Sequence, residues 1–408
     1  MRAVLSHLFV VIAAATLIAM PFLLQTALAA EKEGSDEKQI QRLNKNASAK
    51  QKHSSMPAVT KKEVEVVFVL DTTGSMDGLI KGAKRKIWFV ANEILAAKQQ
   101  PLLKIGLVAY RDRGDAYVTK TLPLSDDLDE VYTNLMALHT AGGGDFPEDV
   151  NAGLAKAVKD MRWTDGKDTL KMIFLVGDAP PHMDYNEVTH ATLSTLAIRQ
   201  NIYINTLQCG TNKQTTLAWQ AIARNSEGRF AAIPQDGGVR VVTTPFDEEL
   251  GRLARDLDTT FVDYGSVAKR NRKSHTRSSA GGLAMDAPAT VRAERALAKS
   301  KAGPSKKEDL ISLLETDGDD AIDKVSANQL SDEMQKMNKT DRKKHLKKLS
   351  KKRKSIQSKI AKLEKKRGSF IATEEKEHEK KGGKRSGFDK EVVAAIRTQA
   401  KTNGLSWD

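Results

Sequence analysis

The stretch VEVVFVLDTTGSM (residues 64–76) decides the fold of this chain, because it joins an apolar run directly to a polar loop. Six of its first seven residues are apolar without alternation, which is typical of a parallel strand covered on both faces. Apolar residues then recur at helical spacing over residues 79–94. The stretch therefore predicts a strand, a turn and a helix, with Asp71, Thr73 and Ser75 pointing into one pocket at the carboxyl end of the strand.

The side chains of this turn predict a metal site. Carboxylate and hydroxyl oxygens, with no histidine or cysteine among them, suit a hard divalent cation, Mg²⁺ first and then Mn²⁺ or Ca²⁺, and disfavour zinc. A small octahedral ion held by few protein groups keeps a position open for an outside oxygen, typically a carboxylate. We expect such a site to bind rather than to cut. The competing interpretation is that these side chains only cap the following helix.

Strand-like and helix-like segments alternate along the first part of the chain. This order predicts an α/β fold, a doubly wound and mostly parallel sheet that carries its ligands at the carboxyl ends of the strands. The further strands are predicted at 104–110, 117–122, 170–176, 202–208 and 229–233, and the helices at 126–138, 149–161, 187–199, 215–223 and 247–257.

The spacing of Asp71, Thr73 and Ser75, Asp-x-Thr-x-Ser, resembles the metal-ion-dependent adhesion site (MIDAS) of von Willebrand factor type A (VWA) domains, whose usual form is Asp-x-Ser-x-Ser. The resemblance covers residues 61–265 and points to an exported bacterial branch. It implies a Rossmann-like fold with one antiparallel edge strand, expected at 117–122, in which two later loops complete the metal site. Asp178, directly after the predicted strand 170–176, matches the late aspartate of that family.

The middle loop departs from the pattern of the family. The sequence TAGGGDFPED (residues 140–149) places Asp145 where a threonine is normally found. With Asp145 as a ligand, three carboxylates would face the cation, which favours metal binding and weakens the attraction for a partner's carboxylate. Thr140 is the alternative ligand in this loop. Asp112, on a loop that follows another strand, is expected either beside the metal loop or in a solvated turn.

Enzyme motifs are not evident. Asp71 resembles the opening acid of haloacid-dehalogenase-like phosphatases, but Thr73 stands where that chemistry needs a second acid. The sequence has no Gly-x-Ser-x-Gly elbow, Walker loop or His-Glu-x-x-His helix. His182, close behind Asp178, keeps a metal-dependent hydrolase open as an alternative, although the resemblance implies a protein without a catalytic site.

The amino-terminal residues indicate export. An apolar stretch at 8–24 is followed by Ala27-Leu28-Ala29, the pattern of a signal-peptidase site. We expect a signal peptide at 1–29 and a flexible polar segment at 30–60, with no transmembrane segment in the mature chain; an uncleaved anchor is the alternative. Cys209 is the only cysteine, so the chain has no intramolecular disulfide. The periplasm is the first expectation for its location, and the cell surface the second.

The second half of the chain carries the charge. Residues 342–367 contain fourteen Lys and Arg and one Glu, a net +13 of the +14 of the whole chain. We expect a linker at 266–304 that contains a short helix at 289–299, a basic helical and coiled-coil-like region at 305–381, and an amphipathic helix at 382–408 that docks on the metal domain. The apolar seam of the basic helix is interrupted by Arg353 and Arg367, and it is expected to pair with a helix at 321–337 or with a second copy. It consists of Leu346, Leu349, Ile356, Ile360, Leu363 and Phe370.

These features predict an exported, non-catalytic binding protein whose VWA-like domain binds a divalent cation and captures a protein partner through an Asp or Glu, as in cell adhesion. The basic residues 342–367 are expected to associate with an anionic envelope surface or an acidic protein. Nucleic acid is not expected as a partner, because the helix has no stacking aromatic residues or groove-reading motif. An envelope scaffold that acts mainly through the basic helices is the other alternative.

Overall fold

A six-stranded sheet lies at the centre of the protein in a computed structural model, which describes residues 62–233, 241–303, 308–382 and 387–407. The predicted signal peptide and polar segment lie outside the described residues. The strand order is β3-β2-β1-β4-β5-β6. The strands are β1 Glu63–Asp71, β2 Leu102–Tyr110, β3 Thr119–Ser125, β4 Thr169–Gly177, β5 Ile202–Cys209 and β6 Phe230–Ile233.

The pairing of the strands confirms the predicted fold class. β1 runs parallel to both β2 and β4, and β5 and β6 continue the parallel sheet. β3 pairs antiparallel with β2 at the edge, as expected for the segment around residues 117–122. All nine residues of β4 are buried, which agrees with the non-alternating apolar pattern of strands covered on both faces.

Helices cover both faces of the sheet and make up most of the described residues after it. A single 3-10 turn, Gly74–Met76, links β1 to the first helix. The helices are α1 Asp77–Leu95, α2 Leu128–Met136, α3 Val150–Ala155 (continued by a π turn, Lys156–Asp160), α4 His190–Arg199, α5 Lys213–Asn225, α6 Asp247–Asp258, α7 Val267–Asp286, α8 Ala289–Ala302, α9 Leu310–Asp317, α10 Asp319–Asp323, α11 Asp332–Gln335, α12 Lys339–Lys380 and α13 Gly387–Lys401. Among the described residues, no helix is both long enough and apolar enough to cross a membrane.

Two hydrophobic clusters lie on opposite faces of the sheet. On one face, Phe68 of β1 stacks on Phe174 of β4 with the ring centroids 5.5 Å apart, and α1 contributes Trp88 to the same cluster. On the other face, Val67 of β1 packs in a cluster that includes Trp219 of α5. The sheet is therefore a fixed platform whose carboxyl-end loops are positioned by two cores.

The expected linker at 266–304 is wrong, because two packed helices, α7 and α8, occupy this segment; only the short helix expected at 289–299 agrees with the structure, as part of α8. Buried alanines replace the larger apolar residues of an ordinary amphipathic helix, so the segment shows little hydrophobic contrast although it packs closely. α8 lies against α1 and α6, and α7 lies against α2. The buried alanines are Ala280, Ala284, Ala293, Ala296 and Ala298.

The segment expected as one helix at 321–337 is also different in the structure. It consists of α10, a 3-10 turn at Ala327–Gln329 and α11. The hydroxyl of Ser331 accepts a hydrogen bond from the Met334 amide and so starts α11 as a separate helix. The apolar side chains Leu330 and Met334 of the segment 321–337 nevertheless pack with Leu346 of α12, which is part of the expected pairing.

The basic helix α12 packs its seam along its own chain rather than along one partner helix. Leu346 packs near α9, and Ile356 and Ile360 pack on α6 and α8. Arg353 and Arg367, which interrupt the apolar seam, are both buried. Each is paired with a buried aspartate, so the interruptions are docking points of the helix.

The last helix, α13, docks on the sheet as expected from its amphipathic pattern. Its residues Val392, Ile396 and Ala400 belong to the core cluster that contains Phe68 and Phe174. The side-chain amides of Gln399 and Asn205 exchange hydrogen bonds of 2.9 and 3.1 Å. The α/β domain is therefore completed by residues from the other end of the chain.

Candidate metal centre

The turn after β1 holds its side chains by local hydrogen bonds. Asp71, the last residue of β1, is fully buried. Its Oδ1 accepts a hydrogen bond of 2.6 Å from the Thr73 hydroxyl and another of 2.9 Å from the Thr73 amide. The Thr73 and Ser75 hydroxyl oxygens are 3.2 Å apart. The Asp-x-Thr-x-Ser spacing thus places three oxygen donors on one side of the turn.

Asp178 joins this group from the neighbouring strand. It directly follows β4, which pairs in parallel with β1, so both strand ends lie at the same edge of the sheet. The Ser75 hydroxyl donates a hydrogen bond of 2.9 Å to Asp178 Oδ1. The structure therefore brings together four of the five predicted ligands: Asp71, Thr73, Ser75 and Asp178.

Close approach of the two strand ends depends on Gly177. A Cβ at this position would lie 2.5 Å from the hydroxyl oxygen of Tyr110 and 2.8 Å from Cβ of Asp71. Both distances are shorter than a real Cβ contact tolerates. The last residue of β4 is thus restricted to glycine by the packing of the site itself.

The glycine-rich middle loop is pinned across the first loop by its backbone. The Gly74 amide donates to the Gly142 carbonyl, 3.1 Å away, and the Ala141 amide donates to the Thr72 carbonyl, also 3.1 Å away. Gly142 and Gly143 have φ values of 78° and 81°, which side chains other than glycine rarely adopt. This conformation turns the chain toward the acidic residues 145–149.

The two middle-loop candidates, Asp145 and Thr140, make contacts elsewhere. The Asp145 side chain is 60% exposed, and its Oδ2 lies 3.6 Å from Nε2 of His182. The Thr140 hydroxyl donates a hydrogen bond of 2.9 Å to Asp77. Neither contact is with the four clustered residues.

Glu148 is the carboxylate that sequence reasoning missed. It is 97% buried, its side chain pairs with Thr73, and its Oε1 lies 3.1 Å from where a Cβ on Gly143 would stand. Its Oε2 is buried without a hydrogen-bond partner among the described residues. The backbone of Glu148 is held by the loop after β4, since its amide donates to the Pro180 carbonyl. The only signal in the sequence was its place in an acidic run.

The charges of this group favour a cation. The pKa of Asp71 is raised to about 7, mainly by burial and to a smaller extent by the charge of Asp178, although the Thr73 hydrogen bonds lower it. Burial, followed by the charges of Asp71 and Asp112, raises the pKa of Glu148 to about 9. The five side chains supply only oxygen donors, and one buried oxygen is unpartnered, so the residues present fit a hard divalent cation.

A second group of side chains borders this centre. Arg111 is buried and donates to the carbonyls of Thr72 and His139 at 3.0 and 2.6 Å. Asp112 is buried as well, next to His182. Burial lowers the pKa of His182, but the neighbouring aspartates outweigh this effect and raise it.

Comparison with known proteins agrees with this architecture. Residues 65–245 match the family model of the von Willebrand factor A domain. Over 121 residues the chain is 31% identical to the alpha-protein kinase vwkA of Dictyostelium discoideum, a region that is 29% of this chain and 19% of the kinase. This chain thus spans about a fifth of that relative's length. The family match covers β1 from residue 65 onward, the other five strands and the four clustered residues.

Among the solved structures that are similar to part of this chain are those of three proteins. The conserved hypothetical protein BatB from Bacteroides thetaiotaomicron is 15% identical with a TM-score of 0.32, covering 42% of this chain and 90% of that chain. The SpRpn10 VWA domain is 15% identical with a TM-score of 0.34, covering 44% and 99%. Proximal thread matrix protein 1 from the mussel byssus, with a zinc-occupied MIDAS motif, is 14% identical with a TM-score of 0.34, covering 42% of each chain.

The family match defines the class of the segment 65–245. Domains of this family are typically non-catalytic, commonly bind metal ions and mediate contacts between proteins. The predicted resemblance over 61–265 is confirmed for 65–245.

Proposed function

We propose that this protein binds a divalent cation, Mg²⁺ first and Mn²⁺ or Ca²⁺ next, and captures a protein partner through an Asp or Glu side chain of that partner. The observation that carries the proposal is the chain of contacts from Asp71 through Thr73 and Ser75 to Asp178, beside the unpartnered carboxylate oxygen of Glu148. A bound cation would supply the coordination position for the partner's carboxylate.

The residues of the chain have separable roles in this proposal. Asp71, Glu148 and Asp178 come from three loops and would provide negative charge once a bound cation replaces their protons, and Thr73 and Ser75 provide neutral oxygens between them. Thr73 donates to Asp71 and Ser75 donates to Asp178, so both hydroxyls keep lone pairs for a cation. In this proposal Glu148 takes the role first predicted for Asp145, so the centre still has three carboxylates. Three carboxylates strengthen metal binding and weaken the attraction of the bound metal for a partner's carboxylate.

The basic helix adds a second element to the proposal. The buried arginines and the apolar seam of α12 pack against the rest of the protein. Lysines such as Lys348, Lys351 and Lys352 form an exposed basic face. We propose that this face associates with an anionic envelope surface or an acidic protein. Export to the periplasm, or secondly to the cell surface, is proposed on the apolar stretch at 8–24 and the Ala27-Leu28-Ala29 pattern.

Calorimetric titration of Mg²⁺, Mn²⁺ and Ca²⁺ into the full chain tests the metal centre. We expect saturable binding that Asp71→Asn weakens at least tenfold and Glu148→Gln also weakens. Asp145→Asn should retain it, as should Asp160→Asn, a control at an exposed carboxylate. Equal binding by wild type and Asp71→Asn would overturn the centre.

The alternative of a metal-dependent hydrolase is tested with the same variants. The observation that favours it is His182, which borders the centre and has a free ring nitrogen. Hydrolysis of a phosphomonoester or a peptide that depends on added Mg²⁺ and is lost in Asp71→Asn would replace the binding function by a catalytic one. We expect no turnover, and instead Mg²⁺-dependent retention of a partner that fails when the partner's acidic residues are amidated.

A further inference from the structure

Three side chains from three separate loops converge beside the metal centre. Asp112 follows β2, Asp145 lies in the glycine-rich loop, and His182 follows β4. His182 Nε2 is 3.6 Å from Asp112 Oδ2 and 3.6 Å from Asp145 Oδ2, and one ligand atom of each residue lies within 4.8 Å of the others. These separations are too long for hydrogen bonds, but they approach the spacing of about 3.3 Å between neighbouring ligands of a small tetrahedral dication.

His182 is held with a ring nitrogen aimed into this cluster. Its side chain is 93% buried, and Nε2 is buried with no hydrogen-bond partner among the described residues. Nδ1 lies 2.8 Å from the Asp184 carboxylate; a neutral ring that donates its Nδ1–H to this carboxylate keeps its lone pair on Nε2. Metal-binding histidines are oriented in the same manner, by a carboxylate on the other ring nitrogen.

Tyr185 contacts two members of the cluster, His182 and Asp112. Its ring stacks on the His182 ring with centroids 4.0 Å apart, and its hydroxyl donates to the Asp112 carboxylate at 2.9 and 3.0 Å. The guanidinium of Arg113 lies over the Tyr185 ring, 3.9 Å from its centroid. Asp112 and His182 are therefore prearranged, while the exposed Asp145 provides an entry side.

We propose that Asp112, Asp145 and His182 form a second divalent-cation site, which takes a borderline transition metal, Zn²⁺ before Mn²⁺. One imidazole nitrogen and two carboxylates are ligands that prefer Zn²⁺ over Mg²⁺ and Ca²⁺, and three protein ligands leave a fourth position for water or an outside group. The proposal uses none of the five residues of the oxygen-only centre, so it stands whether or not that centre binds Mg²⁺.

The test is Zn²⁺ titration of the full chain in excess Mg²⁺, with Co²⁺ as a spectroscopic substitute. We expect one Zn²⁺ that excess Mg²⁺ does not displace, and a visible Co²⁺ absorption of a site with a nitrogen ligand. His182→Ala and Asp145→Asn should each weaken this binding at least tenfold. Asp145 is exposed, so its variant is not expected to disturb folding, and a far-UV spectrum checks both proteins.

Two controls separate this site from other binding. His275→Ala removes an exposed histidine and should leave Zn²⁺ affinity unchanged. Asp71→Asn should remove Mg²⁺ binding while it retains the Zn²⁺ site. Zn²⁺ binding that survives in both Asp145→Asn and His182→Ala, or that is absent from the wild type, would overturn the proposal.

Discussion

Arg353 of the basic helix forms a two-pronged ion pair with Asp309, at 2.7 Å between Nη1 and Oδ2 and 3.1 Å between Nη2 and Oδ1. Both side chains are at least 97% buried. The same guanidinium donates to the backbone carbonyl of Thr260 at 2.6 Å. One side chain thus joins α12 to the segment after α6 and to the start of α9.

Loss of one member of this pair should destabilise the protein strongly. Asp309→Asn leaves a buried guanidinium without its counter-charge, which typically costs about 3–5 kcal/mol. We expect a decrease of this size in the free energy of unfolding, measured by urea titration. Lys354→Ala, at an exposed neighbour of Arg353, is the control and should change it by less than about 1 kcal/mol. A similar small effect of both variants would contradict the docking role of Arg353.

Asp129 should make stability dependent on acid pH. This buried carboxylate of α2 accepts hydrogen bonds of 2.9 and 2.6 Å from Lys299 of α8, and Arg295 also pairs with it. Burial raises the pKa of Asp129, but the charges of Lys299 and Arg295 outweigh burial and hold it below its ordinary value of 3.8. The stabilisation is therefore present above pH 3.8 and is lost as the pH falls through the lower pKa of the folded state.

The variant Asp129→Asn isolates this contribution. The difference in unfolding free energy between wild type and variant should be large at pH 7 and should shrink below about pH 4, measured by urea titration at each pH. A difference that stays constant from pH 7 to pH 3 would show that the charge of Asp129 has no part in it.

Gly177→Ala should disrupt the metal centre through packing alone. The added methyl group would overlap the Tyr110 hydroxyl and the side chain of Asp71, and overpacking of this kind costs about 1–3 kcal/mol. We expect lower thermal stability together with at least tenfold weaker Mg²⁺ binding. Gly144→Ala is the matched control, because nothing lies within 4 Å of a Cβ there. Unchanged cation affinity in Gly177→Ala would mean that the two strand ends do not set the site.

The last helix should be part of the stability of the α/β domain. Ile396 of α13 is fully buried in the sheet cluster, so Ile396→Ala should cost about 2–5 kcal/mol. Calorimetric unfolding should show one transition shifted to lower temperature. Lys390→Ala, at an exposed position of the same helix, serves as the control. A separate low-temperature transition, with the main unfolding transition unchanged, would indicate that α13 unfolds independently and does not stabilise the α/β domain.

Local pattern and the family resemblance together predicted the central part of the site. The apolar runs before Asp71 and Asp178 identify two buried strands that end at the sheet edge where ligands gather, and the resemblance to VWA domains is what assigned Asp178 to the same site as Asp71. Thr73 and Ser75 followed from their spacing on the turn. The antiparallel edge strand was expected from the resemblance to the VWA fold.

Long-range contacts decided what the sequence did not reveal. The loop at 140–149 offers several acids, and only its left-handed glycines and its contact with Pro180 place Glu148 inward and Asp145 outward. Arg353 and Arg367 appeared as breaks in an apolar seam because their partners, Asp309 and Asp247, are distant in the chain. Helix α7 was missed, and α8 was expected only as a short helix within a linker, because alanine packing leaves a weak hydrophobic signal.

The most direct test of the central claim is the effect of Mg²⁺ on the unfolding free energy of the full chain, compared among wild type, Asp71→Asn and Glu148→Gln. A cation that binds only the folded state should stabilise the wild type by about 2.7 kcal/mol at a hundredfold excess over its Kd. Asp71→Asn should remove this stabilisation, and Glu148→Gln should reduce it. An equal Mg²⁺ effect in all three proteins, or none in the wild type, would contradict a metal centre built on Asp71, Thr73, Ser75, Asp178 and Glu148.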